Sequence, residues 1–179
     1  MKAAIGISVH TGWGACVLAG GSPARPEILF NEVIRILGDD ERFCFHMAAE
    51  MNPAEAGRWI ARIRRKAIRN ARKALAPFAK RARVCAIVAK LGEPGALAEV
   101  LASHPRIHTA EGCFYRDVLR EASPVPARII PPSQLDISGI GKLAPPPWGR
   151  DQKLAAAAAW VALQRSSRWR RGVCATRWP

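Results

Sequence analysis

Apolar and polar positions alternate near the start of the chain. Ile5, Ile7 and Val9 are separated by Gly6 and Ser8, the period of two that marks a β-strand. The Gly-rich bend after His10, followed by an apolar run to Gly20, predicts a tight turn and an antiparallel return strand. Gly20-Gly21-Ser22-Pro23 reads as a turn and Glu27 to Leu37 as a third strand. A loop or short helix follows through Met51. Asn52-Pro53-Ala54-Glu55 is a helix start, with Asn52 as N-cap, Pro53 in the first position and Glu55 in the third. That helix is expected to reach residue 73–80, with Pro77 kinking or ending it. Arg83 to Ala89 is a continuous apolar run, as in a central parallel strand covered on both faces.

Leu91-Gly92-Glu93-Pro94-Gly95 breaks this run, Ala96 to Leu101 can form a short helix, and Pro105 resets the chain. Ile107, Ala110, Phe114, Val118 and Leu119 lie near one stripe and predict an amphipathic helix from Ile107 to Ala122. Ala127 to Pro131 reads as a short fifth strand, and Pro131 to Arg150 as a long Pro- and Gly-rich loop. Asp151 to Gln164 is an Ala-rich helix whose first turn holds Asp151, favourable to the helix dipole. The order β-β-β-α-β-α-β-α predicts an α/β fold: a five-stranded mixed sheet with helices on both faces. Residues 1–164 are expected to form a single domain. Residues 165–179 read as a basic tail, with Arg168, Arg170, Arg171, Trp169 and Trp178, ordered only if it docks.

The 179 residues suffice for a substantial core, and a hydrophobic fraction of 49% fits a globular chain. No apolar run approaches the ~20 residues that span a bilayer, and the N-terminus lacks the uninterrupted apolar segment of a signal peptide. A cytoplasmic protein with no membrane insertion is expected. The five cysteines, Cys16, Cys44, Cys85, Cys113 and Cys174, are scattered. No C-x-x-C pair exists, so neither a zinc site nor a disulfide framework is expected. Cys16 and Cys85 read as buried thiols within strands. The formal charge of +14 predicts attraction to a polyanion. High-GC bacterial genomes enrich Ala and Arg generally, so charge alone does not name the partner.

The strand at Ile5 to Val9 and the element order resemble the ribonuclease H-like superfamily over about residues 3–164. Two further segments, Ile107 to Arg116 and Pro147 to Lys153, resemble an uncharacterised bacterial family placed in that superfamily. The resemblance implies the fold and a place for catalysis: carboxylates on the first strand, just beyond the fourth, and on the last helix. They hold Mg²⁺ or Mn²⁺ for an in-line displacement at phosphorus. The matching positions here are Ser8, Glu93 or Glu111, and Asp151. The first-strand carboxylate is replaced by Ser8, which cannot supply its charge. The resemblance thus implies either a degenerate metal site or a nuclease using Glu93, Glu111 and Asp151. Glu111 and Asp151 are then the candidate metal ligands.

A second constellation is His104, His108 and Glu111. His108 and Glu111 are three apart and share a helix face. His108 is a candidate general base, or a transition-metal ligand together with Glu111. His10 and Thr11 can face the same site, with Gly12 and Gly14 admitting a phosphate to the backbone. The actin-like ATPases have a similar strand and turn, but this chain is too short for their two-domain cleft.

From Arg58 to Arg83 there is no acidic residue. At the helical period Ile60, Ile63, Ala67, Ala71, Ala74 and Phe78 share one face. Arg58, Arg62, Arg65, Arg69 and Arg72 share the other, flanked by Lys66 and Lys73, and Arg64 lies near the apolar side. A cationic ridge without intrahelical ion pairs suits a phosphate backbone, whether DNA or RNA. Three functions follow: a nucleic-acid-binding domain with a degenerate metal site, a metal-dependent nuclease, or an interaction module for an acidic protein.

Overall fold

The computed structural model describes residues 3–22 and 25–168. Among these, five strands are β1 (Ala3–His10), β2 (Trp13–Ser22), β3 (Arg25–Arg35), β4 (Ala82–Val88) and β5 (Ala127–Ile130). The α-helices are α1 (Cys44–Ala49), α2 (Pro53–Leu75), α3 (Leu97–Leu101), α4 (His104–Ala122) and α5 (Arg150–Arg168). The strands form one sheet in the order β3-β2-β1-β4-β5. β1 to β3 are an antiparallel meander, and β4 and β5 run parallel to β1. This is the mixed five-stranded sheet expected from the chain.

The alternation in β1 separates large from small side chains rather than inside from outside. Ala3, Ile5 and Ile7 join Cys16, Leu18, Cys85 and Ile87 on the face covered by α1, α2 and α4. Ala4 joins Val17, Ala19, Val84, Ala86 and Val88 on the face covered by α5. That second face is shallow, and the Ala-rich α5 lies close upon it. A Cβ on Gly6 would stand 1.8 Å from the carbonyl oxygen of Ala155. Only glycine lets the helix approach β1 so closely.

α2 begins as expected: the Asn52 side chain accepts from the Glu55 amide at 3.0 Å, with Pro53 just inside. It ends at Leu75, and the segment around Pro77 is a short 3₁₀ turn, Ala76–Phe78. α4 starts at His104, three residues before the expected Ile107, because Pro105 occupies the first turn instead of interrupting it. The stretch before Met51 contains α1. Of the basic tail, the backbone of 165–168 continues α5, and residues 169–179 lie outside the described residues.

Cys16, Cys44, Cys85 and Cys113 are buried and free, as expected of Cys16 and Cys85; Cys174 lies outside the described residues. Burial pushes the thiols of Cys44 and Cys85 up to about 12. Among the described residues no helix is long and apolar enough to cross a membrane.

Candidate functional site

β1 and β4 run parallel, so their carboxyl ends share one edge of the sheet, where α/β sites collect. A cleft of about 810 Å³ opens there, lined by Ser8 and His10 of β1, Lys90 beyond β4, His108 of α4, and Arg150 and Asp151 of α5.

Asp151 is held by a well-made helix start. The Gln152 side chain accepts from the Gly149 amide at 3.0 Å, and the Lys153 amide donates to the Gly149 carbonyl at 3.1 Å. The preceding loop is tied to β3, where Asn31 Nδ2 donates to the carbonyls of Pro145 at 3.1 Å and Pro147 at 2.6 Å.

Two residues of β1 meet this carboxylate. Ser8, itself buried, donates from Oγ to Asp151 Oδ1 at 3.1 Å. His10 Nε2 lies 3.0 Å from the same oxygen but out of line for a hydrogen bond. The His10 ring is stacked on Trp13, with centroids 4.1 Å apart and planes 5° apart. The serine donates to the carboxylate and not to the histidine, so these three residues do not have the arrangement of a nucleophile activated by a base.

The carboxylates considered for a metal do not converge. Among the described residues, Asp151 is the one acidic residue lining the cleft. Glu93 is exposed in the loop after β4, where its charge bears on Arg116 and Cys113. Arg116, buried and paired with Asp117 at 3.0 Å, holds that loop by donating to the Gly92 carbonyl at 2.8 Å. Glu111 is 1% exposed, and its Oε1 is 2.9 Å from His46 Nδ1. A pair of hard divalent ions needs several bridging carboxylate oxygens. One carboxylate, engaged by a serine and crowded by a histidine, does not fit that requirement.

His10 and Thr11 do line the same cleft as His108. The glycines beside them leave no room for a side chain. Gly12 takes φ +86° in the β1–β2 turn, and a Cβ there would stand 2.7 Å from Arg42 Cβ; one on Gly14 would stand 2.8 Å from Ile7 Cγ2. His46, absent from the sequence candidates, packs among His104 and His108, with ring centroids 5.2 Å and 4.8 Å away.

The ridge of α2 faces solvent. Arg58, Arg62, Arg65, Arg69, Arg72 and Lys73 are exposed, while Ala56, Ile63, Ala67, Ile68, Ala71 and Leu75 are buried. Some charge is met from neighbouring elements. Lys66 pairs with Glu41 at 2.5 Å, Arg64 with Glu121 at 2.6 Å, and Arg72 lies 3.8 Å from Glu121. The Arg62 guanidinium sits 4.6 Å over the Trp59 ring. Among the described residues, Arg58, Arg65, Arg69 and Lys73 make no hydrogen bond or ion pair.

No protein-family model matches the chain, and no curated protein matches its sequence. Solved structures do. RuvC of T. thermophilus in complex with a Holliday junction substrate aligns with a TM-score of 0.53 and 16% identity, covering 96% of this chain and 97% of that one. A second structure of Thermus thermophilus RuvC aligns with a TM-score of 0.50 and 15% identity, covering 98% and 99%. RuvC is a member of the ribonuclease H-like superfamily, and this chain has that fold.

Proposed function

We propose that this protein is a nucleic-acid-binding domain of ribonuclease H-like architecture whose metal-dependent centre has been replaced. The carrying observation is the ridge of α2. Successive residues turn by about 100° and rise by about 1.5 Å. Arg58, Arg62, Arg65, Arg69, Arg72 and Lys73 therefore fall within an arc of roughly 100° and extend over about 22 Å. A cationic stripe of that shape follows a phosphate backbone and positions it without reading sequence. Lys90 and Arg150 add two cations to a cleft with one carboxylate. The Holliday junction bound by the RuvC neighbour supports the same class of partner.

In this proposal Ser8 and Asp151 hold α5 against β1 instead of sharing metal ions. The alternative, a nuclease or phosphodiesterase using Glu93, Glu111 and Asp151 with Mg²⁺ or Mn²⁺, requires side chains that stand apart here to come together.

The test is binding and cleavage of labelled DNA and RNA across a salt series, with Mg²⁺, Mn²⁺ or chelator. Salt-sensitive binding that survives the chelator, without cleavage, is expected. Metal-dependent cleavage abolished by Asp151→Asn would establish the nuclease instead. Absence of binding at low salt would move the search to an acidic protein partner.

A further inference from the structure

We infer that His46, His104 and His108 form a binding site for a divalent transition metal of the zinc class, with Glu111 as the carboxylate that orients His46. His104 and His108 are one helical turn apart on α4, so their rings project from the same face. Their Nε2 atoms are 2.9 Å apart. His46 reaches them from α1, and one ligand atom from each of the three lies within 4.8 Å of the others. A tetrahedral metal with Zn–N bonds of about 2.0–2.1 Å places its nitrogens roughly 3.3 Å apart. The His104–His108 pair therefore has to open by only a few tenths of an ångström.

Glu111 carries the second, independent part of the argument. A carboxylate with 1% exposure is costly to bury without a partner. Here it is spent on one atom, His46 Nδ1, at 2.9 Å. An acceptor on Nδ1 places the proton there and leaves Nε2 as a lone pair, the tautomer that a metal requires. Carboxylate–histidine pairs of this kind lie behind many ligating imidazoles, where they set ring orientation and raise basicity.

The donor set selects the ion. Imidazole nitrogens suit zinc, nickel, copper and iron, whereas magnesium prefers oxygen. Three histidines leave a coordination position open, and His104 and His108 are both exposed. His108 also lines the cleft that holds Asp151. The site is thus distinct in its chemistry from the carboxylate centre that the fold implies, and it does not depend on nucleic-acid binding.

The test uses the full chain, stripped with chelator, and Zn²⁺ or Co²⁺ alone. One equivalent is expected to bind. The Co²⁺ protein should show visible d–d bands without the near-ultraviolet charge transfer of a thiolate ligand. His104→Ala and His108→Ala change exposed side chains and should keep the far-UV circular dichroism while weakening Zn²⁺ by at least about 100-fold. Glu111→Gln should weaken it by about 10–100-fold with the d–d bands retained. No binding tighter than about 10 µM, binding unchanged in His104→Ala and His108→Ala, or a thiolate signature would each overturn the site.

Discussion

Replacing Arg58, Arg65 and Arg69 together with alanine separates a ridge that contacts phosphate from one that is merely solvated. These three make no hydrogen bond or ion pair among the described residues, and all are exposed. Their removal therefore leaves packing intact and relieves mutual repulsion along the helix. The magnitude follows from counterion release, in which each phosphate contact on duplex DNA adds about 0.9 to the slope of log affinity against log salt. With Arg58, Arg62, Arg65, Arg69, Arg72 and Lys73 all in contact, that slope is about −5.4. Affinity should then fall about 1,800-fold between about 50 and 200 mM salt. The triple variant keeps three of these contacts, so its slope is about −2.7 and the fall about 40-fold. Fluorescence anisotropy of a labelled duplex over the salt series measures both slopes, and a thermal melt confirms that the variant folds. Equal slopes in the two proteins would refute a phosphate-contacting ridge, whatever the absolute affinity.

Other expectations concern the sheet and the cleft. Gly6→Ala drives a methyl to 1.8 Å from the Ala155 carbonyl oxygen, a backbone atom that no rotamer change can move. It should cost at least about 3 kcal/mol, or roughly 6–12 °C in a calorimetric melt; a loss below about 1 kcal/mol would mean that α5 is not seated on β1 as described. Ser8→Asp sets a second carboxylate beside Asp151, so the variant should melt lower than the parent in chelator and regain stability with Mn²⁺. A melt indifferent to Mn²⁺ would show that a restored pair still cannot hold the ion. Burial raises Cys44 and Cys85 from 9.0 to about 12, which favours the protonated thiols in the folded state. Stability from these groups is complete below about pH 9 and is lost as pH rises toward about 12. Urea titrations should show that decline, and Cys85→Ala should lessen it.

The features legible in the sequence were those set by local period. The alternation of Ile5, Gly6, Ile7 and Ser8 marks β1, and the 3.6-residue spacing from Arg58 to Lys73 marks both faces of α2. The meaning of the alternation depends on tertiary packing. Gly6 and Ser8 look like ordinary strand positions until α5 lies on them. Pro105 reads equally well as a stop or as a first-turn residue, and only its place in α4 decides. That choice determines whether His104 is a loop residue or the helical neighbour of His108. His46 had no comparable local signal. It lies in the six-residue α1, whose N-cap residue Phe43 makes no side-chain cap, and it is brought to α4 by packing between elements distant in sequence. The same distance hides the pairing of Glu121 with Arg64 and Arg72, which lowers the number of free cations on the ridge.

Exchanging a carboxylate for Ser8 affects the fold as well as any chemistry. Two ionised side chains at these positions would repel across about 3 Å, and a bound cation would be needed to hold the end of α5 against β1. A serine removes one charge and turns the contact into a hydrogen bond to the carboxylate that remains. The Gln152 cap and the grip of Asn31 on the preceding loop then secure the same helix end from two other directions. Ser8, the Gln152 cap and Asn31 thus each bear on the N-terminus of α5 at the sheet edge. Lys90 and Arg150 are the cations lining that cleft, and His46, His104 and His108 gather between α1 and α4.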